Sequence, residues 1–193
     1  MSRTATVSRR TRETDISCTL NLDGSGEATI ATGIGFLDHL FTALARHGGF
    51  DLELSCRGDL HIDDHHTAED CSLVLGEALR IAVGDKRGIA RFGHAYAPMD
   101  ETLARAVVDL SGRPWPVVRL GLQRPMIGTL ACENVVHVFN SLAMAAAMNL
   151  HVEVLYGEND HHKAEGSMKA LALALKAAVR VVGGEVPSTK GVL

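Results

Sequence analysis

The chain has 193 residues, 46% of them hydrophobic, enough to bury a real core as one domain or as two compact halves. The formal net charge is -4, and Lys and Arg are scattered with no basic stripe, which argues against a nucleic-acid partner. The longest apolar run of interest, Val135 to Leu150, is broken by His137, Asn140, Ser141 and Asn149, so a membrane span is not expected.

The start, MSRTATVSRRTRETD, has no apolar h-region and leads straight into strand-like sequence, so it reads as mature protein. Residues 4 to 12 and 14 to 22 are predicted strands, the second with Ile16, Cys18, Leu20 and Leu22 on one face. A turn at 23 to 26 and a third strand at 27 to 31 follow. Leu37, Leu40 and Leu44 then give Phe36 to His47 a helical spacing that stops at Gly48-Gly49. Residues 51 to 56 alternate as a strand, and Asp63 or Asp64 can cap a helix running to about Val83. From Phe92 the pattern restarts: strands near 92 to 97, 102 to 110 and 115 to 121, a helix over 133 to 149, a strand over 151 to 156 and a helix over 161 to 182. Met168, Leu171, Leu175, Val179 and Val182 form the apolar stripe of that last helix.

The order βββαβα, twice over, predicts an α+β fold by internal duplication, two small sheets each covered by helices. The halves, 1–91 and 92–193, have no linker between them and should pack as one compact unit. Cys18, Cys56, Cys71 and Cys132 lie far apart in apolar stretches, as buried free thiols of a reducing cytosol would.

The chemistry is also written twice. Asp63-Asp64-His65-His66-Thr67-Ala68-Glu69 returns as Asn159-Asp160-His161-His162-Lys163-Ala164-Glu165, a shift of 96 from Glu69 to Glu165 (165 minus 69). His39 and His137 are related by a similar shift of 98 (137 minus 39). On a helix, each Glu follows its two His by three and four positions, so the three side chains share one edge suited to a metal. The candidate ligands are His39, His65, His66, Glu69, His137, His161, His162 and Glu165. Adjacent His residues diverge by about 100° on a helix, so each pair is expected to serve two different metals. Imidazoles and carboxylates without thiolate suit Mn²⁺ or Fe²⁺; Mn²⁺ is the preferred reading, with zinc left open. His61 has no counterpart and reads as an ordinary histidine, and by spacing alone Glu13 is a surface charge. Arg91, Arg113, Lys169 and the tail Pro187-Ser188-Thr189-Lys190-Gly191 offer the donors that a phosphate monoester needs. Of these, only Lys169 is tied by helical geometry to the metal face.

TGIGFLDHL (32 to 40), GDLHIDDHHTAED (58 to 70), GDKRGIARFG (84 to 93), PMDETLARAVVDLSGRP (98 to 114), NDHHKAEG (159 to 166) and PSTKGVL (187 to 193) closely resemble the imidazoleglycerol-phosphate dehydratase family. The resemblance implies dehydration of D-erythro-imidazole-glycerol phosphate to imidazole-acetol phosphate in histidine biosynthesis, through an imidazolate held by the metal. It implies two Mn²⁺ per active site on the eight positions above and a ribosomal protein S5 domain 2-like fold. It further implies a cytoplasmic homo-oligomer of 24 subunits with sites between neighbouring chains. It carries a phosphate role onto Arg91, Arg113, Lys169, Ser188 and Lys190, and a substrate or acid/base role onto Glu13. Glu69 and Glu165 join Glu13 as the carboxylates expected in the reaction. One departure is Ala43, where many relatives have Gln. Without the resemblance, a di-metal phosphoester hydrolase is the competing reading, and a non-catalytic metal-storage shell is the third.

Overall fold

Period-two alternation builds the strands and a 3.6-residue apolar stripe builds the helices, as the periodicities predict. The computed structural model describes residues 3–190; Met1 and Ser2, and Gly191, Val192 and Leu193 at the end of the PSTKGVL stretch, lie outside the described residues. The elements are β1 (Thr4–Arg10), β2 (Thr14–Asn21), β3 (Ala28–Ala31), α1 (Gly35–Gly48), β4 (Asp51–Gly58) and α2 (His65–Val83). There follow β5 (Phe92–Met99), β6 (Thr102–Asp109), β7 (Trp115–Arg119), β8 (Met126–Ile127), β9 (Leu130–Ala131), α3 (Cys132–Ala145), β10 (Asn149–Tyr156) and α4 (Asp160–Ala178).

The two four-stranded sheets have the same plan. The first has the order β1-β2-β4-β3 and the second β5-β6-β10-β7, each with its last pair parallel and the others antiparallel. Register aligns the buried side chains: Ile16, Cys18 and Leu20 face Cys56, Leu54 and Leu52, and Ala106 and Val108 face Val152 and Leu150. This is the predicted α+β duplication, with one addition. The short β8–β9 hairpin interrupts the second half before α3, and two-residue strands leave no periodicity to read.

Helices cover the sheets and then pair across the halves. α2 lies on β1 and β2 and α4 on β5 and β6, while α1 packs on α4 and α2 on α3. Each pair runs parallel. His39 meets Glu165 at one end, and Gly49 lies beside Lys176 at the other. Likewise His65 meets Asn134, and Gly76 lies against Leu142 and Ala145. The four N-termini therefore come to one side with the His-His segments among them. The buried apolar side chains of both halves form one continuous core, and all four cysteines are free and buried within it.

Two helix ends differ from expectation. The last helix stops at Ala178, short of 182, because residues 88–91 compete for its backbone: Arg91 N–H donates to Ala178 O (2.9 Å), Ala90 N–H to Arg180 O (2.8 Å) and Val182 N–H to Gly88 O (2.8 Å). Val182 is accordingly 58% exposed and leaves the stripe. α3 ends at Ala145, since Ala147 takes a φ of 51° and turns the chain into β10.

The α2–α3 contact leaves no room at Gly76, where an added Cβ would lie 2.6 Å from Leu142 O and 2.8 Å from Ala145 Cβ. Gly76→Ala is expected to lower unfolding free energy by roughly 1–3 kcal/mol in urea titrations, despite alanine's better helix propensity. An unchanged midpoint would mean that the helices can part freely.

Candidate metal centre

The helix starts aim the chemistry. Asp63 Oδ1 accepts the His65 N–H (2.9 Å) and Asn159 Oδ1 the His161 N–H (2.9 Å), so each His-His pair opens a capped helix. Of the two aspartates expected to cap α2, Asp63 does so. One turn on, His161 Nε2 lies 3.0 Å from Glu165 Oε2, and His39 from α1 brings its Nε2 to 2.9 Å from the same oxygen. The equivalent group is wider, with His65 Nε2 at 3.9 Å from Glu69 Oε2 and His137 Nε2 at 3.2 Å from Glu69 Oε1. In each triad the three ligand atoms lie within 4.8 Å of one another. Each takes a His and a Glu from one half and the third imidazole from the other.

His66 and His162 leave these edges. Their rings stand at 77° and 89° to those of His65 and His161, with centroids 6.1 Å apart in both pairs. The edge shared by all three side chains is thus reduced to the i,i+4 partners, because one helical residue turns the next imidazole by about 100°. Both turned rings are held from behind. Asp59 Oδ2 is 3.0 Å from His66 Nδ1, and Glu101 Oε2 is 2.7 Å from His162 Nδ1. Each Nε2 then faces a second carboxylate, Glu13 at 3.8 Å from His66 and Asp100 at 3.7 Å from His162.

Asp59 and Glu101 were missed by the sequence reading. The repeat carried a signal for Glu101: like Glu13, it directly precedes the Thr that opens the second strand of its half. The backbone N–H of Asn159, then His162 and the N–H of Glu158, hold the Glu101 carboxyl far below the usual range. Asp59, chiefly through its hydrogen bond, raises the pKa of His66 against the small cost of desolvation.

At Glu165 burial pushes the carboxyl up, but hydrogen bonds from His39 and Lys169 outweigh it and hold the group at about 2. Lys169 Nζ is 2.6 Å from Glu165 Oε1, so this predicted phosphate residue is bound to the triad. The other four, Arg91, Arg113, Ser188 and Lys190, line one cleft of about 770 Å³. In it, Asp109 grips the Arg91 guanidinium (2.6 and 3.1 Å) while Arg91 Nη1 donates to Pro187 O (2.8 Å), which pins the tail. The cleft sits at the far ends of the helices. Arg91 N–H bonds Ala178 O at the end of α4, about 20 Å from Glu165 at 1.5 Å per residue.

A family model described as IGPD, imidazoleglycerol-phosphate dehydratase, matches residues 32–175. The chain belongs to this family. Curated proteins named imidazoleglycerol-phosphate dehydratase include one from Roseiflexus sp., 54% identical over 100% of this chain and 98% of its own length. Another, from Phytophthora nicotianae, is 58% identical over 99% of this chain; the chain spans 42% of that relative's length. Among solved structures, IGPD from Pyrococcus furiosus superposes with a TM-score of 0.84 at 35% identity, covering 97% of this chain and 100% of that one. Both triads of this chain lie on helices of the fold it shares with that structure. No described helix is long and apolar enough to cross a membrane.

The depressed Glu165 pKa contributes stability that is full above its unfolded value near 4.5 and is lost as pH falls toward about 2. Removing one of its partners raises the folded value. Metal-free Lys169→Met should therefore lose its native circular dichroism at a higher pH than metal-free wild type. Superimposable acid titrations would show that Lys169 does not hold this carboxylate.

Proposed function

We propose that this chain dehydrates D-erythro-imidazole-glycerol phosphate to imidazole-acetol phosphate in histidine biosynthesis, with Mn²⁺ held by the two triads. The observation that carries the reading is the pair of equivalent His-Glu-His triads in a chain of this family. Their donors fit a divalent ion. Imidazole nitrogen and carboxylate oxygen without thiolate suit Mn²⁺ or Fe²⁺ better than structural zinc. His137 Nε2 is buried with no hydrogen-bond partner among the described residues and stands 3.2 Å from Glu69 Oε1, as a lone pair serving a shared cation would.

Asp59 and Glu101, accepting from Nδ1, fix the tautomer in which His66 and His162 present Nε2 as a ligand atom. Those two nitrogens point away from the chain's own triads, and we assign them to the triads of a neighbouring copy. Three ligands plus one then make four for each of two metals. The cleft supports the same assembly, because a phosphate held about 20 Å from Glu165 is beyond the reach of a three-carbon substrate. A homo-oligomer follows, for which the 24-subunit shell in the cytoplasm is the form we expect. Residues 1–91 and 92–193 serve as one catalytic unit, since their helices pair crosswise.

His39, His161 and Glu165, and His65, Glu69 and His137, would each hold a divalent ion, which when bound would supply positive charge to stabilise negative charge on the substrate's imidazole ring. The chain's own groups do the rest. Arg113, Ser188 and Lys190 bind the phosphate while Arg91 holds their loop, and this anchoring orients the carbon chain. Glu13, half exposed beside His66 Nε2, takes the proton from carbon. That C–H electron pair becomes the C=C bond of an enol, the hydroxyl on the ring-bearing carbon leaves and ends with a proton as water, and the enol tautomerises to the ketone. Glu165 is a poorer base at about 2 and Glu69 is turned to two imidazoles, so both carboxylates are assigned to the metals.

Chelator-stripped protein should form the ketone only after Mn²⁺ is restored, with phosphate retained; release of inorganic phosphate would favour the phosphoester hydrolase instead. Glu13→Gln is expected to lower kcat by roughly 10²–10⁴-fold with metal content unchanged, and full turnover would remove its role as base. His161→Ala and Arg113→Ala, each inactive alone, should regain activity when unfolded and refolded together. No recovery in the mixture would count against sites shared between copies.

A further inference from the structure

Residues 121–131 belong to neither triad, yet they run from one to the other. Each end of this stretch, which contains the β8–β9 hairpin, is anchored by an aspartate standing directly before a His-His pair. Asp160 is 2% exposed, and its Oδ2 accepts the backbone N–H of Gln123 (2.8 Å) and of Arg124 (2.7 Å). Its Oδ1 accepts Lys163 Nζ (2.9 Å), which also donates to Gly121 O (3.0 Å). At the other end Asp64 Oδ2 accepts the N–H of Ala131 (2.6 Å), the residue at the N-cap position of α3.

Neither aspartate caps the helix it precedes or opens. Asp63 and Asn159 do that work. An acidic residue at a helix start ordinarily bonds the free N–H groups of its own first turn; here both carboxylates accept backbone N–H groups of one distant segment instead. Between the anchors the hairpin turn approaches the first triad through Phe36. A Cβ on Gly128 would lie 3.8 Å from Phe36 Cβ, and the Phe36 ring lies 4.9 Å from that of His161. A connected path thus runs from Asp64 through the hairpin and Phe36 to His161, and from Asp160 back along the strap to Ala131 and α3, which carries His137.

We propose that residues 121–131 are a strap that fixes the two triads relative to each other, with Asp64 and Asp160 as positioning residues, each acting on the remote triad as well as on its own. The inference rests on reading the triads as metal sites.

Mn²⁺ titration by calorimetry on chelator-stripped full-length protein tests it, using single-triad backgrounds. His137→Ala leaves His39, His161 and Glu165; His39→Ala leaves His65, Glu69 and His137. In the His137→Ala background, Asp64→Ala should weaken binding at the remaining triad roughly tenfold, as loss of an outer-shell support does. Asp64→Asn should restore most of the affinity, because the amide oxygen accepts the same N–H. Since Asp160→Ala strips a buried network and can unfold the chain, the reciprocal test uses Phe36→Leu in the His39→Ala background, where binding should also weaken at a temperature at which circular dichroism shows the variant fully folded. Remote affinities that stay at the background value in both tests would overturn the strap alone. Wild-type protein that binds no Mn²⁺ would overturn the metal reading and the strap with it.

Discussion

Parallel helices from opposite halves lie in contact, and the candidate metal centre follows from that constraint. A single helix can set a histidine and a glutamate one turn apart unaided, as 65 with 69 and 161 with 165 do, but two ligands leave a divalent ion largely in water. The third imidazole arrives only because α1 lies along α4 and α3 along α2, N-terminus beside N-terminus. Metal–ligand distances tolerate errors of only a few tenths of an ångström. For α2 and α3 the spacing is accordingly set by a contact that cannot stretch, the bare Cα of Gly76 against the Leu142 carbonyl; Gly93 against the Ala174 carbonyl likewise seats α4 on its own sheet.

Duplication built two triads without making them electrically equal. Glu165 is buried and bonded to two imidazoles and an ammonium, whereas four residues beyond Glu69 the chain has Leu73, and among the described residues Glu69 pairs with imidazoles alone. An ammonium at 2.6 Å competes with a metal for the same carboxylate charge. The two centres should therefore differ in their grip on a metal despite a common ligand set. The tautomer-fixing carboxylates differ likewise, Asp59 lying just ahead of α2 while Glu101 comes from the β5–β6 turn.

Much of the fold could be read from alternation and heptad-like spacing, because each strand buries one face and each helix one stripe. The β8–β9 hairpin, two residues per strand, had no period to read, and the early end of α4 depends on backbone bonds to residues 88–91 that no local pattern encodes. At the site, the i,i+4 spacing of His65 with Glu69 and of His161 with Glu165 was legible because it is intrinsic to a helix. The crosswise addition of His137 and His39 was not, since it arises from tertiary packing alone. Lys169 read as an anion donor tied by helical spacing to the metal face, and it does lie against Glu165. Only distance within the fold separates it from the cleft that gathers Arg91, Arg113, Ser188 and Lys190.

The cleft and the triads stand at opposite ends of the same helices, and this has a thermodynamic side. A molecule that needs a ring site from one copy and an anion site from another binds the associated form and has little affinity for a lone chain. By mass action it then drives association as well as occupying it, in the way that any ligand stabilises the one state it recognises. In the proposed assembly, substrate would be part of the adhesive between subunits. In the proposed homo-oligomer, the apparent dissociation constant would therefore depend on the concentration of the metabolite consumed.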